Sequence, residues 1–220
     1  MENDFTLTDE FTQSHKYGSA RDWVHLPHLR EVADYTGGDS ARIAATQLGF
    51  HEVNGIQQLY TDSEKRRIVK DWCSFLTTNQ TFFRRLYFRS RVPQELFEAA
   101  CQQTNLEVLH IKWGPYRDLS ALRNLKKLRV LYIGSGASVT SIEPLGDLDT
   151  LRALQIENFQ KIEDYAALGR LTKLEMLEIF PAALQTIHLR NLDFLKSLPS
   201  LRRVWIPAVI RDGSNPPELG

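Results

Sequence analysis

The chain has 220 residues, 42% hydrophobic, 25% charged and 10% aromatic, and 27 Lys plus Arg balance 27 Asp plus Glu. This excludes an intrinsically disordered chain, which needs fewer apolar residues or a large net charge, and predicts one domain of ordinary size or a small domain with an appendage. No run approaches the roughly 18 apolar residues of a membrane-spanning helix, and the acidic start MENDFTLTDEF differs from a basic-then-apolar leader, so a cytoplasmic protein with no membrane contact is expected.

Residues 1–80 read as an N-terminal capping region, partly helical. The stretch from Trp23 to Tyr35, interrupted by Pro27, gives no assignment. A helix is predicted from about Ser40 to Leu48, capped by Asp39 or Ser40 and stopped by Gly49. A second is well signalled: Thr61 and Glu64 form a T-x-x-E capping box ahead of Ile68, Val69, Trp72, Phe75 and Leu76 at helical spacing.

From residue 83 a repeat takes over. FRRLYF at 83, LEVLHI at 106, LRVLYI at 128, LRALQI at 151, LEMLEI at 174 and LRRVWI at 201 share the pattern apolar-x-x-apolar-x-apolar, with spacings of 23, 22, 23, 23 and 27 residues. Every apolar column holds only Leu, Ile, Val or Phe, and the longer last spacing is a four-residue insertion near Pro181 to His188. Upstream of each later segment run apolar residues three apart: Leu119, Leu122 and Leu125; Ile142, Leu145 and Leu148; Tyr165, Leu168 and Leu171; Leu192, Leu195 and Leu198. Before Leu106 the same columns hold Phe97, Ala100 and Gln103, with Pro93 placed to open a short helix.

The alternating end of each segment is a strand, and threefold spacing suits a tight helical turn. One repeat cannot bury its own apolar face, so neighbours stack, with a parallel sheet on the concave side and short helical turns on the convex side. The prediction is therefore an α/β solenoid with a small helical N-terminal cap: a repeat domain of about six strands over 81–210, followed by a flexible tail at 211–220.

Motifs such as SIEPLGDLDTLRALQI resemble the leucine-rich repeat family in its short 22-residue form, found in bacterial internalins and in phosphatase-regulating repeat proteins; the likeness covers residues 83–206, 124 of 220. Where that family usually places Asn three residues after the last strand apolar, this chain has Gly114, Gly136, Phe159 and Ala182. The resemblance implies a rigid, non-enzymatic scaffold that binds another protein through its concave face, in the manner of an adaptor or a toxin-neutralising immunity protein.

Alternation assigns the concave residues. The middle column is Tyr87, His110, Tyr132, Gln155, Glu178 and Trp205; the preceding one is Arg85, Val108, Val130, Ala153, Met176 and Arg203; the following one is Arg89, Lys112, Gly134, Glu157, Phe180 and Pro207. Tyr, Trp and Arg anchor interfaces, so Arg85, Tyr87, Arg89, His110, Lys112, Tyr132, Gln155, Glu157, Glu178, Phe180 and Trp205 are the candidate partner-binding residues. The plainer alternative is that mixed polarity and β-propensity make any exposed strand look this way. At the far end Ile206, Val209 and Ile210 precede only a short polar tail, so self-association through the C-terminal sheet edge is a further expectation.

Other chemistry is sparsely signalled. Residues 1–80 carry 8 basic and 12 acidic side chains and residues 81–220 carry 19 and 15, so the two parts are −4 and +4. Arg84, Arg85, Arg89, Arg91 and Lys112 near Tyr87, Trp113 and Tyr116 suggest nucleic acid, but the balanced total charge argues against phosphate tracking. His25 and His28 flank Pro27 without a further ligand pair, so no metal or other cofactor is predicted. Two cysteines, Cys73 and Cys101, are too few for a disulfide framework and read as small apolar residues. An enzyme with its site in residues 1–80, using the repeats to select substrate, is the competing reading; eighty residues that also cap a solenoid leave little room for one.

Overall fold

The structure, a computed structural model, describes residues 40–43, 50–53 and 56–212. Its centre is a seven-stranded parallel sheet in the order β1-β4-β5-β6-β7-β8-β10. The strands are β1 (Ser40–Ile43), β4 (Arg85–Arg91), β5 (Val108–Trp113), β6 (Val130–Ile133), β7 (Ala153–Glu157), β8 (Met176–Phe180) and β10 (Arg203–Trp205). All six strands anticipated from the repeat are present, and β1 is a seventh.

That seventh strand corrects an expectation. Ser40–Ile43, expected to open a helix, pairs in parallel with β4 from Ser40↔Arg85 to Ile43↔Phe88. The free edge of β4 presents unpaired backbone donors and acceptors, and satisfying them outweighs the weak preference of a single local cap. The rest of that helix, to Leu48, lies outside the described residues, as do Trp23–Tyr35, His25 and His28. A short antiparallel pair follows, β2 (Phe50–Val53) with β3 (Ile56–Leu59).

The second anticipated helix forms as α1 (Asp62–Thr78), and Thr61 and Glu64 make the reciprocal capping box. Its buried stripe is Val69, Trp72 and Leu76. Phe75 meets Phe82 edge-on at 5.4 Å, and Phe82 meets Phe83 at 4.8 Å, which seats α1 on the first repeat. Gln103 completes that joint: its Nε2 donates to Leu76 O at 2.6 Å and Asn79 O at 2.9 Å, and its Oε1 accepts from Phe83 N at 3.0 Å.

The convex side carries α2 (Gln94–Ala100), opened at Pro93, and then four 3₁₀ turns at Ser120–Asn124, Glu143–Asp147, Ala166–Arg170 and Asp193–Ser197. Residues three apart eclipse in such turns, so each turn delivers its apolar triplet to one face. Between sheet and turns lies one continuous core, with Leu86, Leu109, Leu131, Leu154 and Leu177 in register and fully buried.

The turns after the strands close without the expected Asn. Backbone bonds run from Gly134 N to Ile111 O (2.7 Å), Gly136 N to Glu157 O (3.2 Å) and Asn158 N to Phe180 O (2.9 Å). Gly136 is needed because a Cβ there would fall 1.9 Å from Phe159 Cε1; the Phe159 ring occupies the space. The insertion before the last strand places Ile187 in the core, while Leu184 projects fully into solvent with φ 63°. It ends in β9 (His188–Leu189), which pairs in parallel with β11 (Val209–Ile210) as a separate two-stranded sheet.

Candidate functional site

The strand ladder puts the candidate residues in one row. Successive pairings align Tyr87, His110, Tyr132, Gln155, Glu178 and Trp205 across six strands, and Arg85, Val108, Val130, Ala153, Met176 and Arg203 beside them. Because alternate side chains take opposite faces, this row looks away from the main core. Tyr87, Val108, Val130, Ala153 and Met176 form a second, separate apolar cluster there.

The row is less open than alternation alone predicts. Tyr87, His110, Tyr132, Gln155 and Glu178 are all buried, and only Trp205 is exposed, at 52%. The rings pack side by side: His110 and Tyr132 stack with centroids 4.1 Å apart and planes 8° from parallel, and Tyr87 lies 6.3 Å from His110. Flat side chains on neighbouring parallel strands cover one another, a burial that no single strand reveals. What remains accessible is the rim: Lys112 is exposed, and Arg85, Glu157 and Phe180 are partly so. Arg89 lies in β4, where the ladder shifts register between Phe88 and Arg91.

Polar contacts tie the row together. Tyr132 donates its hydroxyl to Glu157 Oε2 at 2.6 Å. Tyr116, buried beneath, donates to Gly134 O, and burial together with the nearby Tyr132 and Glu157 holds its hydroxyl well above the usual tyrosine range. A Cβ on Gly134 would sit 2.1 Å from Lys112 O and 2.9 Å from Glu157 Oε2, so glycine is required between those two residues. At the far end Arg203 pairs with Glu178 at 3.1 Å, and Phe180 and Trp205 lie 5.5 Å apart. The Glu157 contacts were hidden in the one-dimensional pattern; only the glycine at 134 hinted at a close approach.

The other candidates fare differently. Cys101 is fully buried and its thiol is held far above the ordinary value; Cys73, half-buried, is pushed up to about 11, chiefly by burial and then by Glu95. Thiols held protonated at neutral pH are poor nucleophiles. For nucleic-acid stacking, Tyr116 is enclosed and offers no ring to a base, and Arg84 is paired with Glu107 at 2.8 Å. Among the described residues no group of three or more His, Cys, Asp or Glu is arranged to hold a metal ion, and no helix is long and apolar enough to cross a membrane. An open groove of about 450 Å³ between the 3₁₀ turns is lined by Thr140, Glu143, Lys161, Glu163, Asp164 and Arg190 among others. Several of its charges are already spent on ion pairs, Glu143 with Arg170 at 3.0 Å and Asp164 with Arg190 at 2.8 Å.

No protein-family model matches the chain, and no curated protein matches it. Among solved structures it is similar to an internalin (inlF) from Listeria monocytogenes str. 4b F2365, at 21% identity and a TM-score of 0.47. The match covers 57% of this chain and 42% of the internalin, so the chain spans less than half the length of that protein.

Proposed function

We propose that the chain is a non-enzymatic protein-interaction module of the leucine-rich repeat kind, which binds a protein partner through the concave face and its rim. The observation that carries this reading is the unbroken register from Tyr87 to Trp205. Six strands hold one row of aromatic and polar side chains on a rigid support, with Lys112, Glu157, Phe180 and Trp205 left accessible along it. A preorganised surface loses little conformational entropy on binding, and aromatic and cationic anchors supply the contact energy. Adaptor and neutralising roles both fit such a surface, and two free thiols fit a reducing compartment such as the cytoplasm.

The test is affinity capture with the native chain and with a Lys112→Glu, Phe180→Ala, Trp205→Ala variant. These three positions are better probes than Tyr87 and Tyr132, because truncating a buried stacked ring removes packing as well as contact. A protein retained by the native chain and lost by the folded variant supports the reading; equal retention refutes it. Activity that survives in this variant and disappears on changing Cys73 would favour the enzymatic alternative.

A second reading concerns the C-terminal edge. Trp205 and Val209 are about half exposed, Leu184 fully so, and Val204, Ile206, Ala208 and Ile210 are only partly covered, which supports self-association of the solenoid end. Light scattering that stays monomeric at high concentration rules it out.

A further inference from the structure

Resting on the concave-face reading, we propose that β7 carries a subsite for one guanidinium group of the protein partner, held between Gln155 and Glu157. Gln155 is 1% exposed, and its Oε1 has no hydrogen-bond donor among the described residues. A buried acceptor without a donor is a standing loss of stability, and native structures keep few of them. Glu157 is two residues on, hence on the same face of the strand, and is partly open to solvent. Tyr132 occupies its Oε2, which turns the carboxylate towards the row.

The surroundings match a planar, multiply donating cation. Gly134, on the neighbouring repeat, has no side chain to block the approach to Glu157, whose Oε2 lies over it. The stacked His110 and Tyr132 rings offer an aromatic flank, on which guanidinium groups pack well. No cation is paired with Glu157 among the described ion pairs: Arg203 is spent on Glu178, and Lys112, across Gly134, makes none. A guanidinium entering over Gly134 donates to Glu157, and rotation of the Gln155 amide about its soft terminal torsion brings Oε1 to a second N–H. One donor group thus satisfies both acceptors, which a single-point ammonium does less well.

The experiment is an NMR titration of the full ¹⁵N-labelled chain with N-acetyl-arginine amide, with the neutral citrulline analogue as control. Saturable shifts are expected at Gly134, Glu157 and the Gln155 side-chain amide with the arginine probe alone. Glu157→Gln should weaken that binding several-fold with the thermal midpoint unchanged. Gln155→Met should weaken it and also raise the midpoint, because an unsatisfied buried acceptor is removed. A lowered midpoint in Gln155→Met, equal binding of citrulline, no saturation at tens of millimolar, or shifts confined to β4 and β5 would each overturn the subsite. None of these results touches the wider concave-face reading, which stands or falls on the capture experiment.

Discussion

Gln103 and Leu76 are joined across 27 positions of sequence: the Gln103 side-chain amide, fully buried, donates to the Leu76 carbonyl at 2.6 Å. The same amide serves Asn79 O and Phe83 N, so one side chain satisfies three backbone groups where α1 ends and the first repeat begins. Gln103→Leu preserves approximate volume but orphans Leu76 O and Phe83 N, while Asn79 O keeps the Phe82 N–H. We expect a loss of about 2–4 kcal/mol in urea unfolding, since each buried unsatisfied group costs on the order of 1–3 kcal/mol. An unchanged midpoint would show that α1 is held by the Phe75, Phe82 and Phe83 contacts alone.

Gly136 and Phe159 are complementary in volume. Gly136→Ala drives a methyl into the Phe159 ring and should cost about 1–3 kcal/mol, as overpacking does. Phe159→Leu also destabilises, but combining the two should cost less than the sum. A strictly additive double-mutant cycle would place the strain elsewhere.

Tyr165 is buried with a hydroxyl that has no hydrogen-bond partner among the described residues. Tyr165→Phe is therefore expected to be neutral or to stabilise by up to about 1–2 kcal/mol, because it deletes a desolvated group and keeps the ring. Burial also raises the folded-state pKa of Tyr165, Tyr116 and Cys73, the last from 9.0 to about 11. Each is neutral when protonated, so the unfolded chain gives up its protons first as pH rises. Their contribution is complete below the unfolded values, and it is lost as pH climbs from 9 through 11 for Cys73 and from about 10 upwards for the tyrosines. The thermal midpoint should fall above pH 9, and less steeply above pH 10 in Tyr165→Phe; identical alkaline slopes would contradict this.

Leu184 combines full exposure with a left-handed backbone. A branched side chain there costs roughly 1–2 kcal/mol and covers no core, so Leu184→Gly should stabilise or be neutral, against the usual direction for a Leu-to-Gly change. If that variant also loses partner capture or concentration-dependent association, the strain is retained for contact. A destabilised variant would mean that Leu184 packs in a way its exposure does not show.

Much of this protein is written in its one-dimensional pattern. The strand segments, the 3₁₀ triplets and the Thr61–Glu64 capping box are all local periodicities or local hydrogen-bond pairs, and a repeat states them several times over. The concave row was legible for the same reason, since register follows once each segment is aligned with the next. Asn54-Gly55, which falls in sequence between β2 and β3, is likewise a local signal, a favoured two-residue hairpin dipeptide.

Other features belong to tertiary structure alone. Ser40–Ile43 is a strand because β4 has an edge to fill, and nothing within those four residues records that edge. Tyr87, His110 and Tyr132 are buried because parallel strands bring their rings into contact, and Gln155 Oε1 has no donor among the described residues because, of its row neighbours, Tyr132 gives its hydroxyl to Glu157 and Glu178 is a carboxylate. The sequence by itself determined which residues share a face, because that depends on spacing along the chain. Only the tertiary structure decided which of them are covered, paired or left unsatisfied, because those depend on residues 22 or more positions away.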